Sequence, residues 1–330
     1  MKYSMFESPL KVYGIFGFDK TKTVERVPVS MREKMGFTHL GGRTPGARLR
    51  FRTNSENLRI TVKLEKHSPD MGMSMYACTS ANVFVGTGSD TRFLGLVNPV
   101  SYEQTEFSKE FKKSSDIEDI TILFPRNERV LDITVEIDDC GIIEEPTPYT
   151  HEKPMLFFGS SITEGGCCES VGNAYTSLVS KWLDSDYYNY GFSGFCKGQR
   201  EFAELFSQMD LSLMVLDYDH NAPSAEFLKN THEPFFKMMR KFKPTLPIVM
   251  MTAPNYEHMS EADERRAIIK ATYDNAVKSG DNNVYFIDGK DFFGDTDREM
   301  CTVDGCHPND LGFYRMAKVV YPVLKEILEK

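Results

Sequence analysis

The periodicity of the chain changes near residue 150, and that change limits the folds available to it. Before it, apolar and polar residues alternate. Leu49 and Phe51 do so, as do Leu58, Ile60, Val62 and Leu64, then Ile120, Ile122 and Phe124, and finally Leu131, Ile133, Val135 and Ile137. A period of two puts every second side chain on one buried face of a strand. Turn-forming clusters separate these runs: Gly41-Gly42, Thr53-Asn54-Ser55, residues 86–90 and Arg126-Asn127-Glu128. No long helical pattern intervenes. Residues 1–148 are therefore expected to form an antiparallel β-sandwich of jelly-roll type. Glu144-Glu145-Pro146-Thr147-Pro148 reads as the linker that ends it.

Beyond residue 150, strand-like and helix-like segments take turns. Residues 155–158, 187–190, 213–216, 248–251 and 284–287 are short apolar runs. Between them, residues 174–183, 202–209, 226–242 and 262–278 carry apolar side chains at helical spacing, and residues 310–328 close the chain as a helix. Ser260-Glu261-Ala262-Asp263 resembles a helix cap. Such alternation predicts an α/β domain over residues 149–330, with a parallel sheet covered by helices on both faces. In sheets of this kind, ligands sit beyond the carboxyl ends of the strands.

Bulk properties exclude several function classes. A chain of 330 residues with 41% hydrophobic and 26% charged residues can bury two cores without disulfide staples. Its net charge of -9 argues against a phosphate-tracking nucleic-acid surface. No run approaches the ~20 apolar residues of a membrane helix. The opening MKYSMFESPL has no apolar run behind its early lysine, so a cytoplasmic location is expected. Seven irregularly spaced cysteines then read as reduced thiols.

Chemistry-bearing residues fall at three of the strand ends. Gly159-Ser160-Ser161-Ile162-Thr163 follows the first α/β strand, where a serine hydroxyl can be exposed and approached by backbone N–H groups. The ordinary alternative is a glycine turn with a capping serine. Asp217-Tyr218-Asp219-His220-Asn221-Ala222-Pro223 follows the third, where Asn221 can donate to a developing oxyanion or simply make an Asx turn. Asp304-Gly305-Cys306-His307-Pro308 precedes the last helix. There Asp304 can accept from one ring nitrogen of His307 and leave the other to take a proton from a serine; a solvent-exposed loop histidine is the plain alternative. Each signal is weak alone, but Ser, Asn, Asp and His at successive strand ends make a stronger case together.

These blocks resemble those of the GDSL, or SGNH, hydrolases over residues 155–330. Gly159-Ser160-Ser161 stands at the Gly-Asp-Ser block. Asn189-Tyr190-Gly191-Phe192-Ser193-Gly194 stands at the second block, Asp219-His220-Asn221-Ala222 at Gly-x-Asn-Asp, and residues 304–308 at the terminal Asp-x-x-His. The resemblance implies a flavodoxin-like α/β fold. It also implies a serine esterase in which Ser161 is the nucleophile, His307 the general base and Asp304 its support. Its oxyanion hole would comprise the N–H groups of Ser161 and Gly194 and the side chain of Asn221. No cofactor or metal is implied, and Cys301, Cys306 and His307 lack the spacing of a zinc site. Ser160 and His220 are candidates to line the pocket.

The chain departs from the family at Ser160, which replaces an aspartate, at Asp219, which replaces a glycine, and at Ala222, which replaces an aspartate. It is similar to a two-domain subgroup in which a β-sandwich precedes the hydrolase domain; some of its members are carbohydrate acetyl esterases. Small O-acyl esters, acetyl above all, are the implied substrates, with sugars as a candidate alcohol component. A longer-chain lipase or thioesterase, and a degenerate carbohydrate-binding protein, are the competing readings. Neither nucleic acid nor membrane is an expected partner, and the sequence leaves the oligomeric state open.

Overall fold

The computed structural model describes residues 1–37, 39–70 and 72–330. It divides into two compact units. The first comprises Met1–Glu152 together with Cys168–Asn173 and Ser180–Tyr188. The second comprises Lys153–Cys167, Ala174–Val179 and Asn189–Lys330.

The first unit is built from strands β1 (Lys2–Ser4), β2 (Lys11–Tyr13), β3 (Arg48–Thr53), β4 (Asn57–Leu64), β5 (Ala81–Val85), β6 (Arg92–Val97), β7 (Glu106–Lys112), β8 (Glu118–Leu123), β9 (Val130–Ile137) and β10 (Ile143–Glu144). One sheet runs β1-β9-β4-β7. The other runs β10-β3-β8-β5-β6, with β2 also beside β3. The strands pair antiparallel. The alternating residues of both sheets, among them Leu49, Phe51, Ile60, Val62, Val83, Ile120, Ile122, Ile133 and Val135, meet in one core. This is the sandwich that the period of two predicted. Each such side chain contributes about 1.5–3 kcal/mol by leaving water.

Two details depart from the sequence reading. Leu131, counted with the inward set, is exposed. The register explains it: Lys63 faces Asp132 but Leu64 faces Val130, so a bulge drops Leu131 from the ladder and turns it outward. Residues 144–148 are not a free tether either. Glu144 pairs with Arg52 in the sheet, and Thr147 donates from its N–H and hydroxyl to Asp119 at 2.8 and 2.7 Å.

The second unit is organised by the strands β11 (His151–Gly159), β12 (Ser185–Gly191), β13 (Leu213–Asp217), β14 (Ile248–Met251) and β15 (Val284–Ile287), in the order β12-β11-β13-β14-β15. β11 with β13, β13 with β14, and β14 with β15 are parallel. This is the flavodoxin-like order, whose direction reverses between β11 and β13.

The two adjacent phenylalanines of β11 show how the helices are held. Phe158 packs on one face against Phe202, Phe206, Tyr218 and Phe235, with ring centroids 5.1–5.9 Å away. It thereby fixes the helices Arg200–Ser207 and Ala225–Phe242. Phe157 points to the other face and meets Tyr175 at 5.7 Å, which in turn stacks on Phe313 of the helix Asp310–Leu328. The cap expected at Ser260 does not form. Glu261, with φ of 58°, precedes the helix Ala262–Lys278 and makes no side-chain cap bond. Among the described residues, no helix is long and apolar enough to cross a membrane.

Candidate active site

β11 ends at Gly159, and the chain turns at once into the short helix Ser161–Glu164. Only glycine fits at the turn: a Cβ on Gly159 would lie 2.0 Å from Thr163 Oγ1 and 2.3 Å from the Asp217 carbonyl. Ser160 is fully buried, and its hydroxyl caps the helix by accepting from the Ile162 N–H at 3.2 Å. The hydroxyl expected as a pocket group is therefore spent inside the turn. Thr163 completes the cap by accepting from the Ser160 N–H at 3.1 Å. Ser161, one residue further on, is left at the carboxyl end of β11, beside the point where the strand order reverses.

Ser161 Oγ lies 2.9 Å from His307 Nε2, and His307 Nδ1 lies 2.7 Å from Asp304 Oδ2. The N–H groups of Cys306 and His307 donate to Asp304 Oδ1 at 2.9 and 2.7 Å. Partial burial pushes the Asp304 carboxyl up, but the bonds from His307 and Cys306 outweigh it and hold the group below its ordinary value. Asp304 is thus an anion that accepts from Nδ1–H. Nε2 is then the acceptor facing Ser161. The loop itself is closed by pairing of Thr302 with Pro308, by the Val303 N–H on the His307 carbonyl at 3.0 Å, and by Asn255 Nδ2 donating to the Gly305 carbonyl. Gly305 takes φ of +79°, which favours glycine.

Asn221 sits in the 3-10 turn Asp219–Asn221 beyond β13. Its Oδ1 accepts from the Gly194 N–H at 2.9 Å, and its Nδ2 donates to the Phe192 carbonyl at 3.0 Å. The amide keeps a second Nδ2 proton for another acceptor. The Gly194 N–H, expected to point at an oxyanion, is here engaged with Asn221, so a bound oxyanion would share it. His220, in the same turn as Asn221, lies against the loop that carries His307. Its Nδ1 is 3.8 Å from Cys306 Sγ, and burial, helped by the charge of Arg265, lowers its pKa to about 4. It is neutral at neutral pH.

Several residues that the sequence did not single out hold these groups in place. Asp217 Oδ2 accepts from both Thr163 Oγ1 and the Tyr175 hydroxyl at 2.8 Å. Asn189 Nδ2 donates to the Thr163 carbonyl at 2.7 Å, and Glu164 Oε2 accepts from the Ser193 N–H at 3.2 Å. Thr163, Asn189 and Asp217 lay inside stretches already noted for other residues, but nothing in the sequence gave them a task. Among the described residues, no group of three or more His, Cys, Asp or Glu side chains is placed to hold a metal ion.

Burial raises the Asp217 carboxyl from 3.8 to about 7, against the hydrogen bonds from Thr163 and Tyr175 that lower it. A folded-state pKa above the unfolded one means that the folded chain keeps this proton where the unfolded chain loses it. The stabilisation is complete below pH ~4 and disappears as pH rises through about 7. Asp217→Asn keeps an acceptor for both hydroxyls and removes the titration. Between pH 5 and pH 8 the wild type should lose about 2–3 kcal/mol of stability relative to this variant. Urea titrations at the two pH values measure this directly, and parallel pH dependences would refute it.

A family model for the GDSL-like lipase/acylhydrolase family matches residues 152–325. No curated protein gives a significant match. Among solved structures, a protein of Bacteroides ovatus ATCC 8483 described as a GDSL-like lipase superposes with a TM-score of 0.87 at 22% identity, covering 100% of this chain and 98% of that one. The salicylyl-acyltransferase SsfX3 from a tetracycline biosynthetic pathway gives 0.81 at 17% identity, over 99% and 97% of the two chains. The acetyl xylan esterase Est2A of Butyrivibrio proteoclasticus gives 0.64 at 14%, over 100% and 99%. At these identities the likeness establishes a shared fold. The family match spans more than half of the chain, and on that ground the protein belongs to the GDSL-like lipase/acylhydrolase family and is an ester hydrolase.

Proposed function

We propose that the protein hydrolyses small O-acyl esters, acetyl esters first among them, with carbohydrates as the alcohol component. What carries this reading is the hydrogen-bonded chain from Ser161 through His307 to Asp304 at the switch point of the sheet. Ser161 Oγ attacks the ester carbonyl while His307 Nε2 takes its proton. Asp304 holds the proton on Nδ1 and stabilises the imidazolium. The tetrahedral oxyanion is met by the Ser161 N–H, by the second Nδ2 proton of Asn221, and by the Gly194 N–H shared with Asn221 Oδ1. His307 then protonates the departing alcohol, and water releases the acyl group by the same steps in reverse. The likeness in fold to an acetyl xylan esterase supports acetylated sugars as the place to look.

Hydrolysis of p-nitrophenyl acetate, butyrate and octanoate by wild type and Ser161→Ala tests the reading. Turnover should be fastest on acetate and absent in the variant. Preference for octanoate would reassign the enzyme to long acyl chains, and activity surviving in Ser161→Ala would remove Ser161 as nucleophile.

A further inference from the structure

One departure from the family pattern has a physical partner that the sequence did not reveal. Asp219 stands where the family carries glycine, and it is 3% exposed. Arg265, from the first turns of the helix Ala262–Lys278, is equally buried and lies against it. The Arg265 guanidinium donates from Nη1 to the Asp219 carbonyl at 3.1 Å and lies 3.4 Å from Asp219 Oδ1. From Nη2 it donates to the Ala222 carbonyl at 3.0 Å, and from Nε to the Ser260 carbonyl at 3.1 Å. Asp219 Oδ2 in turn accepts from the Ala253 N–H beyond β14, at 3.1 Å. One planar group thus grips the carbonyls at both ends of the segment that carries Asn221. A lysine has the charge but not the fork to do this.

We propose that Arg265 and Asp219 are positioning residues for Asn221, holding its amide where the developing oxyanion will form. The inference rests on the reading of Asn221 as an oxyanion donor. Asn221 is also held by its own bonds to Gly194 and Phe192, by its N–H on the Tyr218 carbonyl at 3.0 Å, and by the Ala222 N–H on the Asp219 carbonyl at 3.1 Å. The bonds to Gly194 and Phe192 fix the amide relative to the neighbouring loop, and the backbone bonds close the turn. The clamp ties that segment to the helix Ala262–Lys278, with Nε, Nη1 and Nη2 all donating to oxygens around it. The glycine that the family uses at position 219 offers no carboxylate to such a clamp, so the departure and the buried arginine belong together.

The test is a double-mutant cycle on the full chain, reading kcat and KM for p-nitrophenyl acetate. Arg265→Lys should lower kcat by about 100-fold, the usual consequence of an ångström-scale misplacement. KM should stay within about twofold, because the donor acts in the transition state. In the Asn221→Ala background the same substitution should cost nothing further. A residue that merely supported the fold would lower activity equally in both backgrounds, and that result overturns the proposal. If Asn221→Ala alone leaves kcat at the wild-type value, the oxyanion reading fails and the inference falls with it. If circular dichroism shows that Arg265→Lys is unfolded, Asp219→Asn repeats the cycle: it removes the carboxylate charge at constant shape and should lower kcat about tenfold in the wild-type background only.

Discussion

His307→Ala should reduce kcat for acetate esters roughly a million-fold, as far as Ser161→Ala does, and the double variant should lose no more than either single one. The reasoning is geometric. A serine hydroxyl at neutral pH is a weak nucleophile, and in the proposed mechanism Nε2, 2.9 Å from Ser161 Oγ, is the base that activates it. Without the base the hydroxyl is inert, and without the hydroxyl the base has nothing to activate, so the losses do not add. Asp304→Asn should be milder, about 100- to 10,000-fold. An amide there can turn an N–H toward Nδ1 and favour the wrong tautomer, but the carboxylate is about half exposed and water can replace part of its role. Steady-state assays at micromolar enzyme cover this range. Additive losses in the double variant would mean that Ser161 and His307 do not act as one unit.

How much of this was legible beforehand follows from what each signal depends on. The alternation in residues 58–64 and 131–137 needs only a half-buried sheet, and it predicted β4 and β9. The strand-end positions of Ser161 and Asn221, and the place of His307 just before the last helix, need only the βα alternation, and the helix spans residues 310–328 as its apolar spacing predicts. What is not legible depends on geometry that exists only once the chain has folded. The bulge that turns Leu131 outward leaves no local mark. A capping serine and an exposed serine look alike until the turn closes at Ser160. Arg265 lies in a helix whose polar sequence suggests a solvated face, and its burial against Asp219, 46 residues earlier, leaves no local mark.

The same blindness concerns Arg48 and Arg50, which alternate with Leu49 and Phe51 and so read as the wet side of β3. Both are buried. Within the first unit, Tyr149 and residues 186–187 cover that face. Arg48 Nε donates to the Tyr149 hydroxyl at 2.7 Å, Nη1 to the Gly46 carbonyl at 2.6 Å, and Nη2 pairs with Asp186 Oδ1. The guanidinium also lies 4.5 Å from the Tyr187 ring and 5.2 Å from that of Tyr149. Burial raises the Asp186 carboxyl above its ordinary value, and Arg48 opposes the rise most, ahead of the Tyr187 N–H and Arg50.

Arg48→Met keeps most of the volume but strands that carboxylate, and it should cost about 3–5 kcal/mol at pH 7. With Arg48 gone, the folded-state pKa of Asp186 should climb further above the unfolded value. The loss should therefore shrink as pH falls toward 5, where the folded chain keeps the proton. Removing both charges, as Arg48→Met with Asp186→Leu, should recover most of the stability, because the pair is held at the expense of desolvating two ions. Urea unfolding of the three proteins at pH 5 and pH 7 decides it. A loss under about 1 kcal/mol, the range of an exposed pair, or one that does not change with pH, would show that Asp186 reaches water and that this face of β3 is not sealed.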